Sequence, residues 1–199
     1  MSILLLSGSP STPSRSGRLL HEIGHRLNAL GQQTVSIHVR DLPPQALMHA
    51  DFSDPELQAA QQLLKQADAV VVATPIYKAA YSGLLKTFLD ILPQEGLADK
   101  IVLPLAVGGG QSHMLALDYG LRPILQALGA QHVLNSIYAT EAQVVWNEAS
   151  GLQIASEIDS RVQQGVESLI DSLQCKAARR AKRQPEQETE VRTLALFEA

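Results

Sequence analysis

The segment Ser7-Gly8-Ser9-Pro10-Ser11-Thr12-Pro13-Ser14-Arg15-Ser16-Gly17 is dense in hydroxyl side chains, carries one arginine and runs straight into a helical pattern. Backbone N–H groups at a helix start and small hydroxyls can surround a phosphate monoester, while the Arg15 guanidinium adds charge and a forked donor set. The patterns G-x-G-x-x-G and G-x-x-x-x-G-K-[ST] are both absent, which favours a terminal phosphate over a pyrophosphate. Gly, Ser and Pro also build ordinary turns, so the segment by itself leaves a plain strand-to-helix turn open.

Two further loops carry chemical potential. Thr74-Pro75-Ile76-Tyr77-Lys78-Ala79-Ala80-Tyr81-Ser82-Gly83 mixes apolar and aromatic side chains with backbone donors, a composition suited to a flat heteroaromatic ring with a polar rim. Tyr77 and Tyr81 are equally readable as packing residues. Gly108-Gly109-Gly110-Gln111-Ser112-His113 would let a planar ligand approach the backbone closely, but glycine there is permissive rather than diagnostic. Lys86 reads as an exposed helical lysine that could also recruit an anion, and His113 as a satisfied polar residue at a helix start. There is no Ser/His/Asp order, no H-E-x-x-H and no carboxylate pair within a loop, so hydrolytic and metal chemistry have little support.

These loops need a scaffold, and the hydrophobic pattern supplies one. Residues 3–6 are a continuous apolar run, as in a strand buried on both faces. Apolar residues at Leu19, Leu20, Ile23, Leu27 and Leu30 have helical spacing, with Gly31 as the stop. Residues 34–39 alternate like an edge strand, and 41–54 read as a long connection. A helix over 55–66 has Asp54 as N-cap, and 69–73 form the clearest central strand. A helix over 82–92, a strand over 101–107, a helix over 111–128, a strand over 132–139 and a helix over 152–173 follow. Gly120 and Pro123 should disturb the helix over 111–128, and π-bulges are among the disturbances such residues cause. The alternation predicts an α/β, flavodoxin-like three-layer sandwich: a five-stranded parallel sheet of order 2-1-3-4-5 with helices on both faces. Ligands of such sheets bind beyond the carboxyl ends of the strands, where the winding reverses.

Composition sets the outer limits. The 199 residues suit one domain over 1–175, followed by a mobile tail over 176–199 that opens on a basic run and includes the apolar Leu194-Ala195-Leu196-Phe197. The balance of 45% hydrophobic and 18% charged residues is that of an ordinary globular protein. A net charge of −4 provides no chain-wide cationic field, so nucleic acid is not an expected partner. Cys175, the only cysteine, permits no internal disulfide and reads as a helix-end thiol. No signal peptide or membrane span is legible, and a cytoplasmic location is expected.

Taken together, Gly8-Ser9-Pro10 with Ser14-Arg15-Ser16, Thr74-Pro75-Ile76-Tyr77 with Tyr81-Ser82-Gly83-Leu84-Leu85-Lys86, and Gly108-Gly109 resemble the NADPH-dependent FMN reductase family over roughly residues 1–175. The strings from Val72 through Gly83 and Leu117-Asp118-Tyr119 are most similar to reductase components of two-component alkanesulfonate monooxygenase systems. The resemblance implies FMN as a dissociable substrate or cofactor, with phosphate at Ser9, Arg15 and Ser16 assisted by Ser14 and Gly17. It places Pro75, Ile76 and Tyr77 on one side of the ring and Gly108 and Gly109 on another. It also implies a homodimer or homotetramer, with Tyr119 in a π-helix at an interface beside the flavin. Many members carry arginine directly after G-S-x, where this chain has Ser11, so Arg15 must bear more of the charge.

The implied reaction is hydride transfer from NADPH, or NADH, to FMN and release of reduced FMN to an FMNH2-dependent monooxygenase, with no catalytic side chain needed because the flavin carries the chemistry. Other readings are a reductase that keeps its flavin and reduces quinones, azo dyes or metal oxyanions, a flavodoxin electron carrier, and a nucleotide sensor.

Overall fold

The structure is a computed structural model that describes the backbone of residues 1–195 and the side chains of residues 1–181. The apolar runs form the parallel strands β1 (Ser2–Ser7), β2 (Gln33–His38), β3 (Ala69–Tyr77) and β5 (Ile101–Gly108); between them, β4 (Ala80–Tyr81) turns back antiparallel on the end of β3. The sheet runs in the order β2-β1-β3-β5, and β6 (His132–Val133) and β7 (Ile137–Thr140) both pair parallel with the far side of β5. This is the expected 2-1-3-4-5 winding, with the fifth strand in two pieces. The interruption has a local cause: the Arg122 guanidinium donates to the carbonyls of Val133 and Leu134, each at 3.0 Å, taking acceptors that a continuous ladder would use.

Alternate residues of each central strand face opposite layers. Leu4, Leu6, Val70, Val72, Val102 and Ala106 pack under α3 (Pro55–Gln66), α4 (Gly83–Asp90) and α5 (Arg122–Ala127). Ile3, Leu5, Val71, Leu103 and Leu105 pack under α1 (Arg15–Ala29) and α6 (Ser156–Ala195). Both faces of the central strands β1, β3 and β5 are therefore dry, which is why these strands read as unbroken apolar runs, while the edge strand β2 is largely exposed.

Several elements depart from the sequence expectation. The connection over 41–54 contains the short helix α2 (Pro44–His49). The helix expected over 111–128 is a 3-10 turn at Gln111–His113, a π-helical turn at Ala116–Leu121 and then α5. Pro123 has no N–H to give the Tyr119 carbonyl, so a regular ladder cannot pass through this point. The segment before the last helix is a hairpin, β8 (Val144–Asn147) and β9 (Gly151–Ile154), with Trp146 opposite Leu152.

Helix α6 continues beyond residue 173 as far as Ala195, so Cys175 lies within a helix rather than at its end. Residues 177–181 are good helix formers. In addition, Lys176 donates to the Asp68 and Asp99 carbonyls, and Arg180 pairs with the Asp68 carboxylate at 3.3 Å. The apolar run over 194–197 lies outside the described side chains. No helix among the described residues is long and apolar enough to cross a membrane.

Candidate flavin site at the carboxyl ends of the strands

A cleft of about 430 Å³ opens where β1 and β3 lie side by side, the point at which the winding changes direction. One wall is the loop after β1 and the first turn of α1, contributing Ser9, Ser14, Arg15 and Ser16. The opposite wall is the end of β3, contributing Pro75, Ile76 and Tyr77. The fold thus brings together two of the three loops singled out in the sequence.

The hydroxyls of the first wall divide by role. Ser14 is the N-cap of α1, and its Oγ accepts from Gly17 N at 3.0 Å. A Cβ on Gly17 would come within 2.7 Å of that Oγ, so Gly17, which does not itself line the cleft, keeps the cap intact. Ser9 Oγ accepts from Ser11 N at 3.3 Å and shapes the loop. Ser16 is 1% exposed, lines the cleft, and its Oγ has no hydrogen-bond partner. The first-turn N–H groups of Arg15 and Ser16 likewise have no carbonyl within the helix to bind. A buried orphan hydroxyl beside open helix-terminal donors is the donor set an anion requires, and leaving it unmet costs free energy.

The loop is held to the second wall by a close approach. Gly8 N donates to Ala73 O at 2.8 Å, and Gly8 O accepts from Ser82 Oγ at 2.5 Å, while that same hydroxyl caps α4 through Leu85 N at 3.1 Å. A Cβ on Gly8 would stand 2.6 Å from Leu85 Cβ, so only glycine lets the loop lie this low. Ser82 N in turn donates to Thr74 Oγ1 at 2.9 Å, closing a small buried network between the two walls.

Arg15 is about half exposed, and its Nη1 lies 3.3 Å from Glu141 Oε2. Ser11, in the same loop, accepts at its backbone carbonyl from Arg40 Nη1, which comes from the turn after β2, at 3.3 Å. Lys86, considered as an anion recruiter, forms an ion pair with Asp90 on the surface of α4.

The third loop stands apart from this cleft; Val107, rather than Gly108 or Gly109, reaches its lining. Gly108 serves packing, since a Cβ there would meet Tyr138 Oη at 2.4 Å and Ile76 Cβ at 3.2 Å. Tyr138 Oη donates to Gly110 O at 2.5 Å and fixes the loop from β7; burial, reinforced by the nearby Glu141 carboxylate, pushes this phenol's pKa upward. Gly109 faces open space. Beyond it the π-helical turn packs Gly120 against the Tyr81 ring and leaves Tyr119 79% exposed.

Sequence reasoning missed Arg18, Glu141, Val145 and Trp146, all of which line the cleft. Trp146 reaches it from the β8–β9 hairpin and lies under the Arg18 guanidinium, 3.9 Å from ring centroid to Cζ. Val144-Val145-Trp146 followed by a short polar stretch that ends at Gly151 was a legible hairpin signal. Among the described residues, no group of three or more His, Cys, Asp or Glu side chains could hold a metal ion.

Comparison with known proteins shows the family. The family model for NADPH-dependent FMN reductases matches residues 1–144. An FMN reductase (NADPH) of Pseudomonas putida KT2440 is 46% identical over 84% of this chain and 86% of its own length. One from Escherichia coli K12 is 46% identical over 73% and 76%. Among solved structures, an apo NADH:FMN oxidoreductase, EMOB, superposes with a TM-score of 0.78 at 41% identity, covering 86% of this chain and 89% of that one. A Streptococcus pneumoniae TIGR4 flavodoxin, at 15% identity and a TM-score of 0.58, shares the fold. A flavodoxin-like sheet, a strand-end cleft with an unmet anion donor set and these relatives lead to one assignment: the chain belongs to the NADPH-dependent FMN reductases, oxidoreductases that use FMN with a nicotinamide nucleotide.

Proposed function

We propose that the cleft binds FMN as an exchangeable substrate, with NADPH or NADH as reductant, and that reduced FMN leaves for a partner FMNH2-dependent monooxygenase in alkanesulfonate use. The observation that carries the binding mode is the orphan Ser16 hydroxyl beside the open amino terminus of α1, in the same cleft as Pro75, Ile76 and Tyr77. In this reading Ser16, Ser9 and the first-turn N–H groups hold the phosphate, with Arg15 adding charge from the rim and Ser14 and Gly17 fixing the helix start. The ring lies along Pro75, Ile76 and Tyr77, its far edge toward the Gly108-Gly109 backbone.

FMN, when bound, supplies the two-electron chemistry between the nicotinamide and the acceptor. The protein positions the two rings and limits solvent access, so no side chain is required as acid or base. FMN as the molecule reduced is supported by FMN reductase relatives, among them the NADH-dependent FMN reductase SfnF of Pseudomonas fluorescens at 33% identity; the exchange and the monooxygenase partner rest on the likeness of the strings over 72–83 and 117–119 to alkanesulfonate-system reductases. We place Tyr119, exposed on its π-helical turn, at a subunit interface of a cytoplasmic homodimer or homotetramer.

The direct test is anaerobic mixing of the protein with FMN and each nicotinamide nucleotide while following flavin absorbance. Bleaching is expected with at least one; no bleaching with either overturns the reductase reading. Steady-state kinetics with free FMN varied separates exchange from retention: saturable dependence supports exchange, and a rate independent of added FMN refutes it.

A further inference from the structure

We propose that Glu141 is an internal competitor for Arg15, a carboxylate that weakens the hold on the flavin phosphate and so keeps FMN exchangeable; this rests on the phosphate placement given above. Three observations converge on it. Among the described residues Glu141 is the only acidic one that lines the cleft, which Arg15 and Arg18 also line. Its Oε2 lies 3.3 Å from Arg15 Nη1, the only ion pair that Arg15 makes among the described residues. It is also held in place: Glu141 begins the 3-10 turn Glu141–Gln143 at the carboxyl end of β7, and that turn is closed by a capping box in which Thr140 N donates to Gln143 Oε1 at 2.8 Å.

The energetic consequence follows from charge alone. Arg15 in the free protein already has a counter-ion, so a phosphate gains its help only by displacing Glu141 and then sits near a carboxylate of its own sign. Both side chains are about half exposed, so the pair is screened and its effect is small. A modest penalty is what an exchanging site needs, because affinity is adjusted mainly through the dissociation rate. Glu141→Gln keeps the shape of the side chain and removes only the charge.

The test uses the full chain and two flavins that differ only in the phosphate. Quenching of Trp146, the sole tryptophan, reports binding directly. Glu141→Gln is expected to tighten FMN binding about two- to fivefold, to slow FMN dissociation by a similar factor, and to leave riboflavin affinity unchanged. Under turnover the KM for FMN should fall without a rise in kcat. Arg15→Ala serves as the reference and should weaken FMN but not riboflavin. If Arg15→Ala leaves FMN affinity unchanged, the phosphate placement fails. If Arg15→Ala weakens FMN while Glu141→Gln leaves it unchanged or weakens it too, the competitor role alone is overturned. Glu141→Ala should reproduce the direction of the Gln variant, and an equal gain for riboflavin with either would also overturn it.

Discussion

Replacing Ser16 with Ala should move stability and flavin affinity in opposite directions. Its hydroxyl is buried and unpartnered, and an unmet buried polar group costs about 1–3 kcal/mol. Removing it should stabilise the flavin-free protein by up to that amount, about 1–3 kcal/mol. With FMN bound, the same hydroxyl would donate to a charged phosphate, a bond worth about 1.5–3 kcal/mol. Its loss corresponds to about a 10- to 150-fold weaker Kd. Urea unfolding of the flavin-free protein and titration of Trp146 fluorescence with FMN give the two numbers. Ser14→Ala is the internal contrast: its hydroxyl caps α1, so its loss should cost about 0.5–2 kcal/mol of stability. A Ser16→Ala variant that is less stable than the parent, or that binds FMN equally well, would refute the argument that this hydroxyl is held in reserve for an anion.

Gly8→Ala should destabilise by about 1–3 kcal/mol and, on the proposed binding mode, lower FMN affinity, because its Cβ collides with the Leu85 Cβ and forces the loop between β1 and α1 off α4; an unperturbed melting curve would contradict this. The β3–β4 hairpin turns on Lys78 and Ala79 with φ of 50° and 63°, conformations that glycine adopts more easily, so Ala79→Gly should raise stability by about 0.5–1 kcal/mol in denaturant unfolding. His38 has a buried, unpartnered Nδ1, and burial, then Arg40, push its pKa below the ordinary value of 6.5. A lowered histidine pKa means that the unfolded chain binds the proton more readily, so this stability is present above pH 6.5 and is lost as pH falls toward the folded value. The pH dependence of unfolding free energy should therefore be shallower in His38→Gln below pH 6.5, and identical slopes would count against the assignment.

The fold was largely legible because each central strand is dry on both faces and each crossover helix is amphipathic, so the apolar runs and their spacing carry the topology. The loop proposed to hold the phosphate stood out for a similar reason: hydroxyls, glycines and an arginine at a strand-to-helix junction are a local pattern. The π-helical turn was foreshadowed by Gly120 and Pro123, which spoil a regular ladder wherever they fall. The broken fifth strand was not, because Arg122 reaches its carbonyls from another element.

What only the tertiary structure decided is which hydroxyl is spare and which charge is spoken for. Ser9, Ser14 and Ser16 are the same residue type within one loop, yet one shapes the loop, one caps the helix and one is left without a partner. Arg15 meets Glu141 across more than half the chain, and Arg18 lies over Trp146, which comes from a hairpin far along the sequence. Short-range pattern fixes the backbone because its forces act within a few residues; hydrogen-bond satisfaction and charge pairing depend on neighbours that only the folded chain brings together.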